Sequence, residues 1–269
     1  MAAHRPADAA LIAAAEAAAD VAAAVVRPFF RSGVTADLKG DDSPVTIADR
    51  TAEQAMRAVL AARFPDHGIL GEEYGLERPD ARLRWVLDPI DGTRAFITGR
   101  PLFATLIGLL DDGIPILGLM DQPVLRERWL GVAGRRTRFI GGFGGVVGTR
   151  ACPDIAAAEL SATSPQMFDE PSMARWRRLE AAVRRTTFGG DAYAYGLLAL
   201  GQIDLIAEAD LKVWDWAALL PVIEGAGGKI TDWEGRPLRG VASGASQVGP
   251  VLAAGDPALH ARALELLKV

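Results

Sequence analysis

Cysteine is almost absent from this sequence: a single Cys152 excludes an intrachain disulfide and gives no sign of an oxidising compartment. With Pro153 beside it in a loop-like stretch, it reads as a structural thiol rather than a nucleophile. Histidine is scarce too, and His4, His67 and His260 are scattered without metal-ligand spacing, so each reads as a surface or packing residue. An excess of positive charge is also missing. Twenty-nine Lys plus Arg against 34 Asp plus Glu leave a net charge of -5, which removes the electrostatic reason to expect nucleic acid as a partner. Long uninterrupted apolar runs are lacking. AALIAAAEAAADVAAAVV is broken by Glu16 and Asp20 at helical spacing, and PLFATLIGLL stops at Asp111 and Asp112. Neither is expected to span or anchor in a membrane, and the expected compartment is the cytoplasm.

What is present is a large hydrophobic fraction, half of 269 residues, enough to bury the core of one large domain or two closely packed ones. A helical pattern covers residues 7 to 31, with Pro28 expected to bend or end it, and a second helix begins near Ile47 or Asp49. Short apolar runs at GIL, WVL and 104 to 110 read as strands. Asp112-Gly113 signals a hairpin into IPILGLM, followed by RERWLGVA. The Gly-rich stretch 141 to 149 lacks the Gly-Lys-Ser/Thr of a phosphate loop and reads as a turn joining two halves. Beyond it strands and helices alternate: strands near 158–163, 185–189, 203–208, 229–232 and 250–254, with helices at 171–184, 192–200, 214–226 and from 256. The expectation is an α/β (α+β) chain, with an N-terminal half at 1–140 and a C-terminal half at 141–269 that form one compact unit.

Chemistry concentrates in acids placed where strands end. Glu72 and Glu73 follow GIL, Asp88 follows WVL, and Asp91 comes three residues later in DPIDGT. Carboxylates at the ends of neighbouring strands converge on one sheet rim and repel unless cations neutralise them. Oxygen donors without local His or Cys favour Mg²⁺ first and Mn²⁺ second. Pro89 fixes the chain so that Asp88, the Ile90 carbonyl and Asp91 can face one point, while Gly92-Thr93 resembles a helix opening whose free N–H groups suit a phosphate. The alternative for DPIDG is a plain turn with an Asp cap, which the extra acids weaken. Asp215, in VWDWAALLPVIEGAGG, is either a further ligand or a helix N-cap.

GEE at 71–73, DPIDGT at 88–93, WDWAALLPVIEGAGG at 214–228 and SPVTIAD at 43–49 together resemble the inositol-monophosphatase-like phosphatases, in that family's order along nearly the whole chain. The resemblance implies a layered αβαβα sandwich of the inositol monophosphatase / fructose-1,6-bisphosphatase type, usually a homodimer. It places metal ligands on Glu72, Asp88, the Ile90 carbonyl, Asp91 and Asp215. It gives Glu72 and Thr93 the task of positioning and deprotonating the attacking water, with Asp49 near that water, and gives Gly92 and Thr93 the phosphate. The implied reaction is in-line attack of a metal-activated water on the phosphorus of a small phosphorylated substrate, without a covalent enzyme intermediate. Lys39 and the loop to Asp42 resemble the loop that closes on the metals.

Two further acids bear on the substrate. Glu208 matches the family position facing the leaving group. Asp191, in GGDAYAYGLLALG, is either an N-cap for the helix at 192–200 or a second acid at that place, and a second acid favours a cationic leaving group. That segment and PILGLMDQPVLRERWLG look like the histidinol-phosphate phosphatases of the superfamily. The first expectation is therefore hydrolysis of L-histidinol phosphate in histidine biosynthesis. Inositol 1-phosphate or broad sugar-phosphate hydrolysis is the alternative, and a catalytically silent phosphate- or metal-binding protein is a third reading. Tyr193 and Tyr195, at alternate helical positions, cannot both face the site.

Overall fold

In the computed structural model, which describes residues 7–38, 44–240 and 249–268, Asp8 opens the first helix by accepting hydrogen bonds from the N–H groups of Ala10 and Leu11. Helix α1 (Ala9–Phe29) ends one residue after Pro28. By length and composition it could cross a membrane, but its Leu11, Ala15, Ala18, Ala22 and Val26 are buried in the core. A short hairpin of β1 (Ala36–Leu38) and β2 (Pro44–Thr46) leads into α2 (Ile47–Arg63), where Thr46 and Asp49 cap each other. His4 and the segment from Lys39 to Asp42 lie outside the described residues.

Next come β3 (Gly68–Gly71), β4 (Gly75–Glu77), β5 (Leu83–Asp91), α3 (Thr93–Ile97), β6 (Ala104–Asp111), β7 (Ile114–Gln122), β8 (Glu127–Val132) and β9 (Arg138–Ile140). Their sheet has the order β4-β3-β5-β6-β7-β8-β9, with only β3 and β5 parallel. The hairpin turn at Asp112-Gly113 holds positive φ at both residues, +49° and +77°, which is why an Asp-Gly pair sits there. The second half adds β10 (Glu159–Ala162), α4 (Glu170–Glu180), β11 (Arg185–Phe188), α5 (Asp191–Ala199), β12 (Leu205–Leu211), α6 (Val213–Trp216), α7 (Leu219–Ala226), β13 (Lys229–Thr231), β14 (Gly249–Ala254) and α8 (Pro257–Leu267). Its sheet runs β11-β10-β12-β14-β13 and is again mixed. Residues 141–149 form the expected loop between the sheets.

The layers follow from side-chain alternation. Trp85 and Leu87 of β5 enter one core with α1 and α2, while Val86 between them enters a second core with α5, α6 and α7. In the smaller sheet Ile206 and Ala253 face that same middle layer, and Leu205, Ala207, Leu252 and Ala254 face a third core covered by α4 and α8. The result is α, β, α, β, α in succession.

The single helix expected over 214–226 is instead two. Pro221 has no N–H for the Ala217 carbonyl, so the ladder breaks between α6 and α7. That break lies on a track of three glycines, because Gly108 pairs with Gly118 and Gly118 with Gly131 across β6, β7 and β8. A Cβ on Gly118 would lie 1.8 Å from the Ala218 carbonyl oxygen, and one on Gly131 would lie 2.3 Å from the Pro221 carbonyl carbon. The bare strand surface thus lets the α6–α7 backbone sink onto the sheet, three residues from Asp215. Gly118→Ala is expected to lower the unfolding free energy by ~1–3 kcal/mol, read as a reduced denaturant midpoint. The control Gly142→Ala, whose Cβ meets nothing within 4 Å, should leave the midpoint in place. Equal midpoints for the two variants would contradict the close-approach account.

Candidate active site

Asp88 and Asp91 stand three apart, and in a regular strand an odd separation sends side chains to opposite faces. Here β5 shifts register against β6 between them, Asp88 opposite Leu106 and Asp91 opposite Ala104, so an extra residue is bulged out. Pro89, which has no N–H to offer a ladder, sits in the bulge, and the buried Thr105 hydroxyl donates to its carbonyl at 2.7 Å. Both carboxylates then reach the same rim. Asp215 arrives from α6, and oxygens of Asp88, Asp91 and Asp215 lie within 4.8 Å of one another.

Around this trio is a cavity of 160 Å³ lined also by Glu72, Ile90, Gly92, Thr93, Asp191 and Glu208. All the predicted residues except Asp49 therefore meet in one place. Asp49 is buried behind Thr93: its Oδ2 accepts the Thr46 N–H and hydroxyl, and its Oδ1 accepts the Thr93 hydroxyl at 3.4 Å. The Thr93 hydroxyl also lies 3.1 Å from the Ile90 carbonyl oxygen. Gly92 precedes α3 with φ +93°, a left-handed turn that a side chain would strain.

Neither acid is an N-cap, although Asp215 does help to cap α6 from its third position. Asp215 is the third residue of α6, not its N-cap, and its carboxylate accepts the Lys212 N–H at 2.7 Å. Asp191 is the first residue of α5, whose N-cap is Gly190 without a side-chain cap bond, and it is held at φ +44°. A non-glycine residue in that region carries backbone strain, and here it lines the cavity. The next N–H, of Ala192, donates to Asp91 at 2.8 Å and ties the two halves together at the rim. Glu208 is held by the Thr163 N–H at 2.6 Å and the Tyr195 hydroxyl at 2.9 Å. Tyr193 turns away and donates to Glu127, so one tyrosine of the pair faces the site.

Ala192 and Leu219, both from quoted segments, and Thr163, Met167 and Leu211, which carried no motif, complete the lining. Glu53 was also missed. It accepts the N–H groups of Glu73 and Tyr74 and occupies the space a Cβ on Gly71 would need, so it shapes the turn that presents Glu72. Its signal was the buried polar stripe Asp49, Glu53, Arg57 at four-residue spacing on α2. His67 and His260 pack as expected, against Phe64 and Thr231 respectively, and burial pushes the Cys152 thiol up.

Crowded acids resist ionisation. Burial and then Glu72, Asp91 and Asp215 push Asp88 well above the usual carboxylate range, and burial and then Asp215 and Asp191 do the same to Asp91. Burial first, then Glu72, raises Asp215 to about 8, and burial first, then Glu208, raises Asp191 to about 7. Oxygen-only donors and mutual repulsion fit a hard divalent cation among Asp88, Asp91 and Asp215, with Glu72 and the Ile90 carbonyl beside them.

A profile of the inositol monophosphatase family matches residues 8–268. The chain is 48% identical over 254 residues to the bifunctional phosphatase IMPL2, chloroplastic, of Arabidopsis thaliana, covering 93% of this chain and 72% of that protein. It is 38% identical over 207 residues to a histidinol-phosphatase of Mycobacterium tuberculosis, covering 74% of this chain and 78% of the relative. Among solved structures, an inositol monophosphatase from Zymomonas mobilis superposes with a TM-score of 0.85 at 51% identity, over 96% of this chain and 97% of its own.

Asp191 and Asp215 carry folded-state values of about 7 and about 8, above their ordinary 3.8. The stability they contribute is full below that ordinary value and lost as pH rises through 7 and 8. The thermal midpoint of metal-free protein is therefore expected to fall from about pH 5 to about pH 9, and millimolar Mg²⁺ should flatten the decline. A metal-free profile that is flat, or that rises over this range, would contradict the picture of a repelling cluster.

Proposed function

This chain belongs to the inositol monophosphatase family, and from that premise we propose that it is a Mg²⁺-dependent phosphomonoesterase that converts L-histidinol phosphate and water to L-histidinol and phosphate. The observation that carries the substrate is the pairing of Asp191 with Glu208 on the wall of the cavity that holds the metal-binding trio. Two carboxylates facing the leaving alcohol suit a cationic group such as the histidinol ammonium, which would draw Asp191 back into its ionised form. The names of the Arabidopsis and Mycobacterium relatives agree with a phosphatase of this kind.

The chain's own groups divide the work. Glu72, Asp88, Asp91, Asp215 and the Ile90 carbonyl are the groups that would hold Mg²⁺, with Mn²⁺ as its substitute. The bound cation supplies charge neutralisation at the phosphoryl oxygens and makes water a better acid. Glu72 and the Thr93 hydroxyl orient the attacking water in line with the phosphorus, and Glu72 takes its proton. Asp49 acts through Thr93, whose hydroxyl it holds in place. The left-handed turn at Gly92 turns the N–H groups of Gly92 and Thr93 toward the phosphate. Glu208, fixed by Thr163 and Tyr195, and Asp191 hold the departing alcohol.

A second reading, hydrolysis of inositol 1-phosphate, is favoured by the 51% identity to the Zymomonas inositol monophosphatase. Phosphate release under Mg²⁺ separates them. Histidinol phosphate should give a higher kcat/KM than inositol 1-phosphate or fructose 1,6-bisphosphate. Asp191→Asn should cost it about 10- to 100-fold, the worth of one charge-assisted hydrogen bond, and leave inositol 1-phosphate nearly unchanged. Faster turnover of inositol 1-phosphate, indifferent to Asp191→Asn, gives the site to the second reading. Equal phosphate release by wild type and Asp91→Asn would remove both.

A further inference from the structure

A phosphate dianion approaching this pocket meets an unfavourable field. The whole chain carries a net charge of -5, and the cavity itself presents the carboxylates of Glu72, Asp88, Asp91, Asp191, Glu208 and Asp215. Even with cations among the innermost acids, those nearer the opening repel an anion. Two arginines stand against that field. Arg94 follows the cavity-lining Thr93, is exposed, and donates from Nη1 to the Gln166 side-chain oxygen at 3.3 Å. Gln166 in turn precedes Met167, which lines the cavity on its opposite, C-terminal-half side. Arg94 therefore reaches across the mouth.

Arg100 occupies a second point of the rim. Its Nη1 lies 3.2 Å from where a Cβ on Gly189 would be, so its guanidinium rests on the Gly189–Gly190 turn that carries Asp191. Its Nε donates to the Thr98 hydroxyl at 3.2 Å, and Arg31 donates to the Gly99 carbonyl at 2.9 Å, which steadies the turn before it. Both guanidinium charges act on Asp191, yet neither forms a direct ion pair with it among the bridges of the described residues. Both are exposed residues beside the cavity and not part of its lining.

We propose that Arg94 and Arg100 form a cationic rim that captures the phosphate group of the incoming ester and passes it inward to the acidic pocket. They act on the phosphoryl end, which every monoester shares, and not on the leaving group that Asp191 and Glu208 face. The proposal rests on the reading of this pocket as a phosphomonoesterase site, and it is independent of which ester is preferred. The contact with Gln166 engages Nη1 alone, one exposed hydrogen bond of a guanidinium that has five N–H donors.

Steady-state kinetics of R94A, R100A, the double alanine variant, the double lysine variant and Q166A test it, with inorganic phosphate as a competitive inhibitor. The double alanine variant is expected to raise KM for histidinol phosphate, inositol 1-phosphate and fructose 1,6-bisphosphate alike, by about 5- to 10-fold, with kcat within about twofold. The inhibition constant of inorganic phosphate should rise by the same factor, and the decline of kcat/KM with added NaCl should become shallower. The double lysine variant should recover most of the loss, and Q166A should behave as wild type. Because inorganic phosphate has no leaving group, a wrong substrate assignment leaves this readout intact. Unchanged phosphate inhibition and salt dependence in the double alanine variant would overturn the proposal. So would a loss confined to kcat, a loss confined to the bisphosphate, or a Q166A variant that reproduces R94A.

Discussion

Like charges brought within 4.8 Å in a largely buried cavity repel, and the arrangement of Asp88, Asp91 and Asp215 is the constraint around which this protein is built. Burial and mutual repulsion each push their proton affinities up, so without a counter-charge the cluster favours protonation over ionisation. A divalent cation reverses that balance. The acids then become a site rather than a liability, and the surrounding carboxylates of Glu72, Asp191 and Glu208 can be tolerated beside them.

Backbone devices, not side-chain size, bring the acids together. A bulge at Pro89 puts Asp88 and Asp91 on one rim despite their odd spacing, and Thr105 pins the bulge through the Pro89 carbonyl. Glycines aligned across β6, β7 and β8 let the α6–α7 break settle on the sheet and carry Asp215 in from the other half. Asp91 accepts the Ala192 N–H, so the strained start of α5 bears on the same point. Of these, the glycine track brings backbone closer than any side chain would allow, so the position of Asp215 rests on residues outside the cavity.

Much of this was legible in the amino-acid order because motif and element boundary coincide. The strand end before Glu72 and the Asp112-Gly113 hairpin announce themselves through local chemistry that the fold leaves unopposed, whereas β5 does not end at Asp88 but runs on through a bulge to Asp91. Where tertiary packing decides, the sequence was silent or ambiguous. Asp191 and Asp215 each admitted an N-cap reading; their backbones lie inside α5 and α6 instead, and Asp215 caps α6 from its third position while it faces the cavity. The split of 214–226 was visible in Pro221 in principle, yet the apolar periodicity runs straight through it. Glu53 serves the GEE turn across a contact twenty residues long in sequence, and Arg94 reaches Gln166 across seventy-two; no local pattern encodes either. Thr163 lines the cavity from a bend and Met167 from a short 3-10 turn, Pro165–Met167, and neither belongs to a quoted motif.

The central claim is that Asp88, Asp91 and Asp215 form a cation site. Calorimetric titration of metal-free protein with Mg²⁺, in two buffers of different ionisation enthalpy and without substrate, tests it most directly. The account predicts saturable binding with net proton release near neutral pH, both lost in Asp91→Asn while the variant stays folded. Binding that is unchanged in Asp91→Asn, or that occurs without proton release, would contradict it.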